Sequence, residues 1–221
     1  MPKLKPATQA LRRDHILDVA ERLFALSGFH RTTMHDLCRE AGISPGALYA
    51  HFDSKEALIE GLCERDRAQF IERFRALSEA PDLLAALRTL GTQYFVEEPS
   101  HKPLFVAEMG IESTRNPHIA QVCRSVDGFC LESFEKIFAE LTAAGRIKPG
   151  LEAASVARLF QIISDGIFWR RAVRPDFDFD EIREPLLALI ERLLVPAAPS
   201  PEPAPAAAPA TRRRPSRKSG P

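Results

Sequence analysis

Residues 31–62 read RTTMHDLCREAGISPGALYAHFDSKEALIEGL, and the order of their caps and breakers predicts three helix starts and one tight turn. Thr33 followed by Asp36, and Asp53 followed by Glu56, each set a side-chain acceptor and a carboxylate where the free amides of a helix start need them. Between the two pairs lies Gly42-Ile43-Ser44-Pro45. Glycine takes the left-handed turn that ends one helix, serine caps the next, and proline fits the first helical position, where its missing N–H costs nothing. The expectation is a helix from about Met34 to Ala41 that turns sharply into a short one from about Pro45 to His51. Such a pair is a helix-turn-helix, a unit whose second helix enters the DNA major groove.

On the N-terminal side, a helix from about Thr8 to Ser27 carries Ile16, Ala20, Leu23 and Phe24 on one face at helical spacing, and Gly28 ends it. Phe29, Leu37, Ile43, Leu48 and Phe52 then close a miniature core behind the reading helix. On the C-terminal side, a long helix from Asp53 to about Ser78 repeats Leu58, Leu62, Phe70, Phe74 and Leu77 on one side. Breaks at Pro99 to Pro103, Asn116-Pro117, Gly145 to Gly150 and Arg174-Pro175 divide the remainder into five more helices, near 82–97, 102–114, 117–144, 152–173 and 179–194. Period-two runs of β-branched residues do not occur at useful length, so the expected fold class is all-α. The expected organisation is a DNA-binding unit over 1–55, a helical effector-binding and dimerisation unit over 56–195, and a disordered tail over 196–221. That tail is Pro/Ala-rich and then basic, a composition that does not build a core.

The chain has 221 residues, 45% of them hydrophobic, and a formal net charge of zero. Divided along its length, the balance is uneven: residues 1–55 hold eight basic and six acidic side chains, and residues 196–221 hold five and one. The intervening segment, with 17 basic and 23 acidic groups, is therefore negative. A basic head on an acidic body draws nucleic acid to the head, and Arg212, Arg213, Arg214, Arg217 and Lys218 of the tail can add nonspecific phosphate attraction. No apolar run approaches the roughly 20 residues of a membrane span, and the start lacks the apolar segment of a secretion signal. The expected location is the cytoplasm. The four cysteines include no CxxC pair, which argues against a disulfide framework or a zinc ribbon.

The sequence resembles the TetR/AcrR family of bacterial transcription regulators. The resemblance rests on Gly28-Phe29, Thr32-Thr33, Ala41-Gly42-Ile43-Ser44 and above all Leu48-Tyr49-Ala50-His51-Phe52 followed by Asp53-Ser54-Lys55-Glu56-Ala57-Leu58. It covers roughly residues 10–62; the rest agrees in length, helical character and layout. Candidates for base contact are Ser44, Pro45, Gly46, Ala47 and Tyr49, with Gly46 and Ala47 small enough for close approach and the Ala47 methyl suited to a thymine methyl. The resemblance implies phosphate contacts by Tyr49, Thr33 and His51, while Lys55 stands at a helix start, where amides and ammonium together suit a phosphate. Against these stand plainer roles: Thr33 as a cap, His51 as a packing residue, Tyr49 as part of the head's surface packing. Leu48 and Phe52 belong to the core.

One short reading helix contacts only a few base pairs, so specificity calls for a homodimer on a palindromic operator. The last two helices are the expected interface, through Leu159, Phe160, Ile163, Ile167 and Gly166 on one and the leucine-rich final helix on the other. The resemblance implies a small-molecule effector bound in the body, which shifts the spacing of the reading heads. Phe95, Phe105, Met109, Phe129, Asp165 and Trp169 are the candidate lining, accompanied by Phe134, Phe168, Glu108 and Glu112; they suit a hydrophobic or aromatic molecule, and a carboxylate among them suits a cationic one. Core packing is the alternative role of each aromatic. No cofactor is expected. His35, Cys38 and His51 lack a fourth metal ligand, so no metal site is expected either; Cys123 and Cys130 read as small buried hydrophobes rather than redox sensors. No glycine-rich phosphate loop or nucleophile elbow supports an enzyme. The runner-up is a helical protein-interaction adaptor, which leaves the reading-helix chemistry unexplained. Repression is the family's commonest mode.

Overall fold

The computed structural model describes residues 6–194, so the Pro/Ala-rich basic tail expected over 196–221 lies outside the described residues. Among the described residues, nine α-helices follow one another: α1 (Pro6–Ser27), α2 (Met34–Ala41), α3 (Pro45–Tyr49), α4 (Lys55–Glu79), α5 (Leu83–Thr92), α6 (Lys102–Ser113), α7 (Pro117–Ala143), α8 (Ala153–Val173) and α9 (Asp180–Leu194). The described residues contain no strand. The expected helix over 82–97 is present, but its last turn, Gln93–Glu97, widens to a π-helix.

The caps explain where the head's helices begin. Thr33 and Asp36 form a reciprocal capping box: the Thr33 hydroxyl accepts from the Asp36 amide at 3.1 Å, and the Asp36 carboxylate accepts from the Thr33 amide at 3.1 Å. Gly42 takes φ 65°, which only glycine adopts without strain, and the Ile43 amide then reaches the Cys38 carbonyl at 3.0 Å. The Ser44 hydroxyl caps α3 through the Ala47 amide at 3.3 Å. Two expectations change. The cap of α4 is Ser54, whose hydroxyl accepts from the Ala57 amide at 3.1 Å, rather than Asp53. Regular α3 ends at Tyr49 instead of His51, because the chain tightens there, with the His51 amide bonding the Leu48 carbonyl at 2.9 Å.

Two apolar clusters hold the helices together. The first joins Leu17 and Phe24 of α1, Phe29, Leu37, Leu48 and Phe52 of the helix-turn-helix, and Leu58 and Leu62 of α4. It is larger than the expected miniature core, because Phe105 and Met109 of α6 and Ile119 of α7 enter it from the body. The second is built around Phe74, Leu77, Phe134, Phe138, Val156 and Phe160, with Ile190 and Leu194 closing it from α9. Helix α4 contributes to both clusters, so no apolar boundary separates the reading unit from the body.

Gly61 marks the tightest approach in the first cluster. A Cβ there would lie 2.8 Å from the Phe52 ring and 3.2 Å from the Leu17 side chain. Overpacking a filled site costs about 1–3 kcal/mol, whereas alanine returns about 1 kcal/mol of helix propensity. Gly61→Ala is therefore expected to lower the urea midpoint, with a net loss of about 1 kcal/mol; a raised midpoint would mean that Phe52 can move aside.

Candidate functional site

Helix α3 is short, and its sequence decides which way it faces. Leu48 is fully buried, so the residues on the opposite side, Ser44, Pro45, Gly46 and Tyr49, meet solvent together, and Ala47 is half-buried at their edge. Tyr49 is 52% exposed. Nothing lies within 4 Å of a Cβ placed on Gly46, so a duplex can approach that face closely. Thr33 is exposed beside them, but its amide and hydroxyl both donate to Asp36, the hydroxyl at 2.6 Å. Those bonds, with Arg39, pull the Asp36 carboxyl down to about 2. His51 is half-buried, with its ring 6.4 Å from Phe52. Lys55 has an internal anchor: its Nζ donates to the Phe29 carbonyl at 2.6 Å and sits 4.4 Å above the Phe29 ring. One of its three protons is thus committed to holding α4 against the turn after α1.

The body surrounds a cavity of about 290 Å³ between α4, α5, α7, α8 and α9. Of the expected lining, Phe95, Phe129 and Asp165 face it, as do Phe134 and Phe168. Phe105, Met109 and Trp169 do not. The first two are buried in the head-side cluster, where α6 turns its apolar face, and Trp169 is 52% exposed on the surface of α8. Glu108 and Glu112 also face the head rather than the cavity. The Glu108 carboxylate accepts from the Phe29 amide at 2.8 Å, and the buried Glu112 lies 2.9 Å from His30 Nε2.

Sequence reading missed a large part of the wall. Phe70 and Tyr94 line it, and Arg73 joins Tyr94 and Glu98, its guanidinium 4.4 Å above the Tyr94 ring and 2.8 Å from the Glu98 carboxylate. Burial pushes the Tyr94 hydroxyl up to about 12, so it stays a donor. The signal for Phe70 was present in the α4 periodicity, where it read as core. Nothing local marks Arg73 or Lys102, since their partners lie 25 or more residues away in sequence.

Lys102 connects this cavity to the head. Its side chain lines the wall, yet its Nζ donates to Glu21 of α1 at 2.8 Å and to Asp66 of α4 at 2.5 Å. Glu21 is 3% exposed and also receives Arg65 at 3.0 Å, while His101 lies at 3.2 Å. Burial by itself would lower the Lys102 ammonium; Asp66 and Glu21 outweigh it and hold the group above its ordinary range. Asp127 and Asp165, on α7 and α8, line the same cavity and remain accessible to solvent, and their carboxylates form no hydrogen bond or ion pair among the described residues. Partial desolvation raises both carboxyls, and for Asp165 the charge of Asp127 adds to it.

Among the described residues, no group of three or more His, Cys, Asp or Glu side chains is placed to hold a metal ion, and no helix is long and apolar enough to cross a membrane. Cys38 is buried in the head cluster. Burial pushes the Cys63 and Cys130 thiols up to about 12, which keeps them out of the reactive thiolate form.

A capped helix-turn-helix with a small-residue face, wired to a helical body around a cavity, defines a class: the DNA-binding transcription regulators with a sensor body. Residues 16–62 match the model of bacterial regulatory proteins of the tetR family, and residues 84–195 match that of the BetI-type transcriptional repressor C-terminal region. The chain belongs to the TetR family of transcriptional regulators. It is 30% identical over 162 residues to the HTH-type transcriptional regulator UidR of Escherichia coli K12, an alignment covering 70% of this chain and 79% of that protein. The structure of Salmonella enterica GusR superposes with a TM-score of 0.70 at 28% identity, covering 86% of this chain and 97% of GusR. The fold is also that of Bacillus subtilis FadR, solved in complex with stearoyl-CoA, at a TM-score of 0.68 and 20% identity over 80% of this chain and 96% of FadR. The family is one of bacterial regulatory proteins.

Breaking the Lys102 cluster is expected to be costly, because it strands buried charge. Lys102→Met should lower stability by about 3 kcal/mol, read from urea unfolding. Adding Glu21→Gln should then cost less than it does in the parent chain; strict additivity would mean that the two side chains do not interact.

Proposed function

We propose that the chain is a repressor that binds a palindromic operator as a homodimer in the cytoplasm and is released when a small hydrophobic or aromatic molecule enters the body cavity. The observation that carries this reading is Lys102, which lines the cavity while its ammonium grips Glu21 in the first helix of the head. On this reading, residues 1–55 supply the DNA contacts and residues 56–195 the effector and dimer functions. Helix α6 is the connecting lever together with α4, since it carries Lys102 at its cavity end and, near its middle, Glu108, which holds the Phe29 amide. An effector that prefers one position of α6 and an operator that prefers the other weaken each other reciprocally.

For DNA, the free face of α3 supports base contact by Ser44, Pro45, Gly46 and Ala47, with Tyr49 on the backbone. Thr33 serves first as a cap, and its role toward phosphate comes through the helix start that it orders. Lys55 keeps two protons for a phosphate after its bond to Phe29, and His51 flanks the same edge.

For the dimer, the supporting surface is an apolar stripe on α8 made of Leu159, Ile162, Trp169 and Val173, joined by Leu189 of α9. The α8 members recur at helical spacing, and Gly166 stands open in their middle. This changes the membership of the expected interface. Phe160 and Ile167 are buried within the chain's own core, and Ile163 lines the cavity. Trp169, which does not reach the cavity, has its role here. The adaptor reading gives no account of the open α3 face.

The test is a footprint of the purified protein on DNA flanking its own gene; absence of protection anywhere would remove the operator reading. Tyr49→Ala should weaken operator binding at least tenfold, about 1.4 kcal/mol, with an unchanged melting temperature. An equal loss in both measurements would make Tyr49 a packing residue. Affinity should also fall steeply between about 50 and 200 mM salt, by roughly a thousandfold if about six phosphates are neutralised across a dimer; a flat response would argue against phosphate-dominated binding.

A further inference from the structure

The two buried carboxylates that join head and body are not provided for in the same way. Glu21 holds two close cations, Lys102 at 2.8 Å and Arg65 at 3.0 Å. Glu112 of α6 has neither. It is 1% exposed, and among the described residues neither of its oxygens accepts a hydrogen bond. Its nearest basic neighbours are His30 Nε2 at 2.9 Å and, on its own helix, the exposed Arg115 at 3.4 Å. His30 belongs to the turn between α1 and α2, so the contact crosses from body to head. The other fastenings of that turn involve no histidine: Glu108 takes the Phe29 amide at 2.8 Å, Lys55 holds the Phe29 carbonyl at 2.6 Å, and the Thr32 hydroxyl donates to the Gly28 carbonyl at 2.9 Å.

We propose that His30 and Glu112 form a proton-operated clasp that positions the turn ahead of the reading unit. It closes when the ring is protonated and loosens as the pH rises through the range in which imidazole loses its charge, ordinarily between about 5 and 8. A buried carboxylate without a hydrogen bond gains more from an added charge than one that is exposed or already paired. The two other histidine–carboxylate contacts among the described residues lack that leverage. His101 lies 3.2 Å from Glu21, which Lys102 and Arg65 already compensate. His118 and Glu60, 3.0 Å apart, are both about half exposed, and solvent screens them.

The charged groups around the His30 ring are Glu112, Glu108 and Arg115 of α6, Lys55 of α4 and the adjoining Arg31. Glu108 and Lys55 are engaged by the Phe29 backbone, and Arg31 by the Ser27 carbonyl at 2.6 Å. Glu112 and Arg115 therefore meet the ring's charge directly, and Glu112 is at ion-pair distance. The N-terminal end of α6 is fastened to α1 by Lys102, while its C-terminal half is fastened conditionally. A closed clasp holds Thr33, the cap of α2, in one position, and a head so held loses less freedom when it binds DNA. Operator binding is accordingly tighter on the acid side. The clasp goes beyond the effector reading and does not depend on it; its DNA consequence alone rests on the operator reading.

Urea unfolding of the full chain at about pH 6 and pH 8 is compared with that of His30→Gln, Glu112→Gln and His118→Gln. From the higher to the lower pH, the folding constant of the parent is expected to rise about threefold or more relative to His30→Gln and to Glu112→Gln. His118→Gln should follow the parent. In resonance spectra, the amides of residues 28–33 should shift with the titration of the His30 ring. They should cease to do so in Glu112→Gln, which keeps the shape of the side chain and removes its charge. Affinity for the footprinted DNA should improve about threefold more in the parent than in either clasp variant over the same interval, a comparison that cancels the titration of the other histidines.

Equal pH responses of parent and His30→Gln would overturn the clasp, as would turn amides that ignore the His30 titration. Stability lost equally at both pH values in Arg115→Gln, with His30→Gln silent, would assign Glu112 to Arg115 and overturn it too. A clasp that titrates in the free chain and leaves DNA affinity unmoved would overturn its positioning role. Absence of any footprint would remove the operator reading alone, and the unfolding and resonance measurements would still decide the clasp.

Discussion

The carboxylate of Glu21 constrains the rest of this structure. It belongs to the first helix of the reading head, it is buried, and a buried carboxylate without compensation costs several kcal/mol. Compensation comes from outside the head: Arg65 of α4, Lys102 of α6 and the neighbouring His101. Arg65 extends the cluster to Asp18 at 2.6 Å, and Lys102 extends it to Asp66. Three helices therefore keep one mutual arrangement or strand a charge. Apolar packing alone would tolerate small slides of one helix along another; charge-assisted hydrogen bonds of fixed length penalise them. A ligand that displaces α6 must act against this cluster, and the cluster transmits the displacement to α1.

Helix α6 has two distinct faces. Its apolar side, Phe105 and Met109, belongs to the head cluster, and its polar residues Lys102 and Glu108 hold Glu21 and Phe29. Its contact with the cavity is confined to Lys102 and Val106. A helix that packs on the head and only touches the cavity suits a reporter of occupancy more than a binding wall. The binding surface is left to α4, α5, α7, α8 and α9, and several of its phenylalanines pack edge to face. Phe70, for example, stands 5.9 Å from Phe134 at 85°. Such stacks leave room between rings without leaving polar groups unsatisfied.

The head and the helix boundaries were legible in the sequence because their causes are local. Thr33 and Asp36 cap within three residues, Gly42 turns within one, and Leu48 falls on the inward side of a five-residue helix by periodicity alone. The exchange of Asp53 for Ser54 as a cap is of the same kind, a choice between adjacent acceptors that composition does not decide. The body was legible only as helices. Periodicity reports that Phe105, Met109 and Phe129 face inward, but a helix in a bundle has more than one inward direction. Phe105 and Met109 went to the head, and Phe129 went to the cavity. Likewise Phe160 and Trp169 both lie on an apolar stretch of α8, and only the packing of α7 against it decides that the first is core and the second surface. Partners such as Lys102 and Glu21, 81 residues apart, leave no local trace.

Reading and sensing therefore call for different kinds of sequence. The reading face needs small or polar residues held still, so its structural requirements, a glycine at positive φ and three hydroxyl caps, are strict and recognisable. The cavity wall is assembled from residues of several helices far apart in sequence, so it follows no local pattern of that kind. Asp127 and Asp165 line it with no cation partner among the described residues, and partial desolvation raises both carboxyls. The head approaches the consistency that makes a local fold recognisable. The body departs from it at the cavity, where a departure supplies the differential free energy that a switch requires. The head is thus recognisable because its constraints are local, and the cavity is not, because its wall joins residues as far apart in sequence as Asp66 and Ile190.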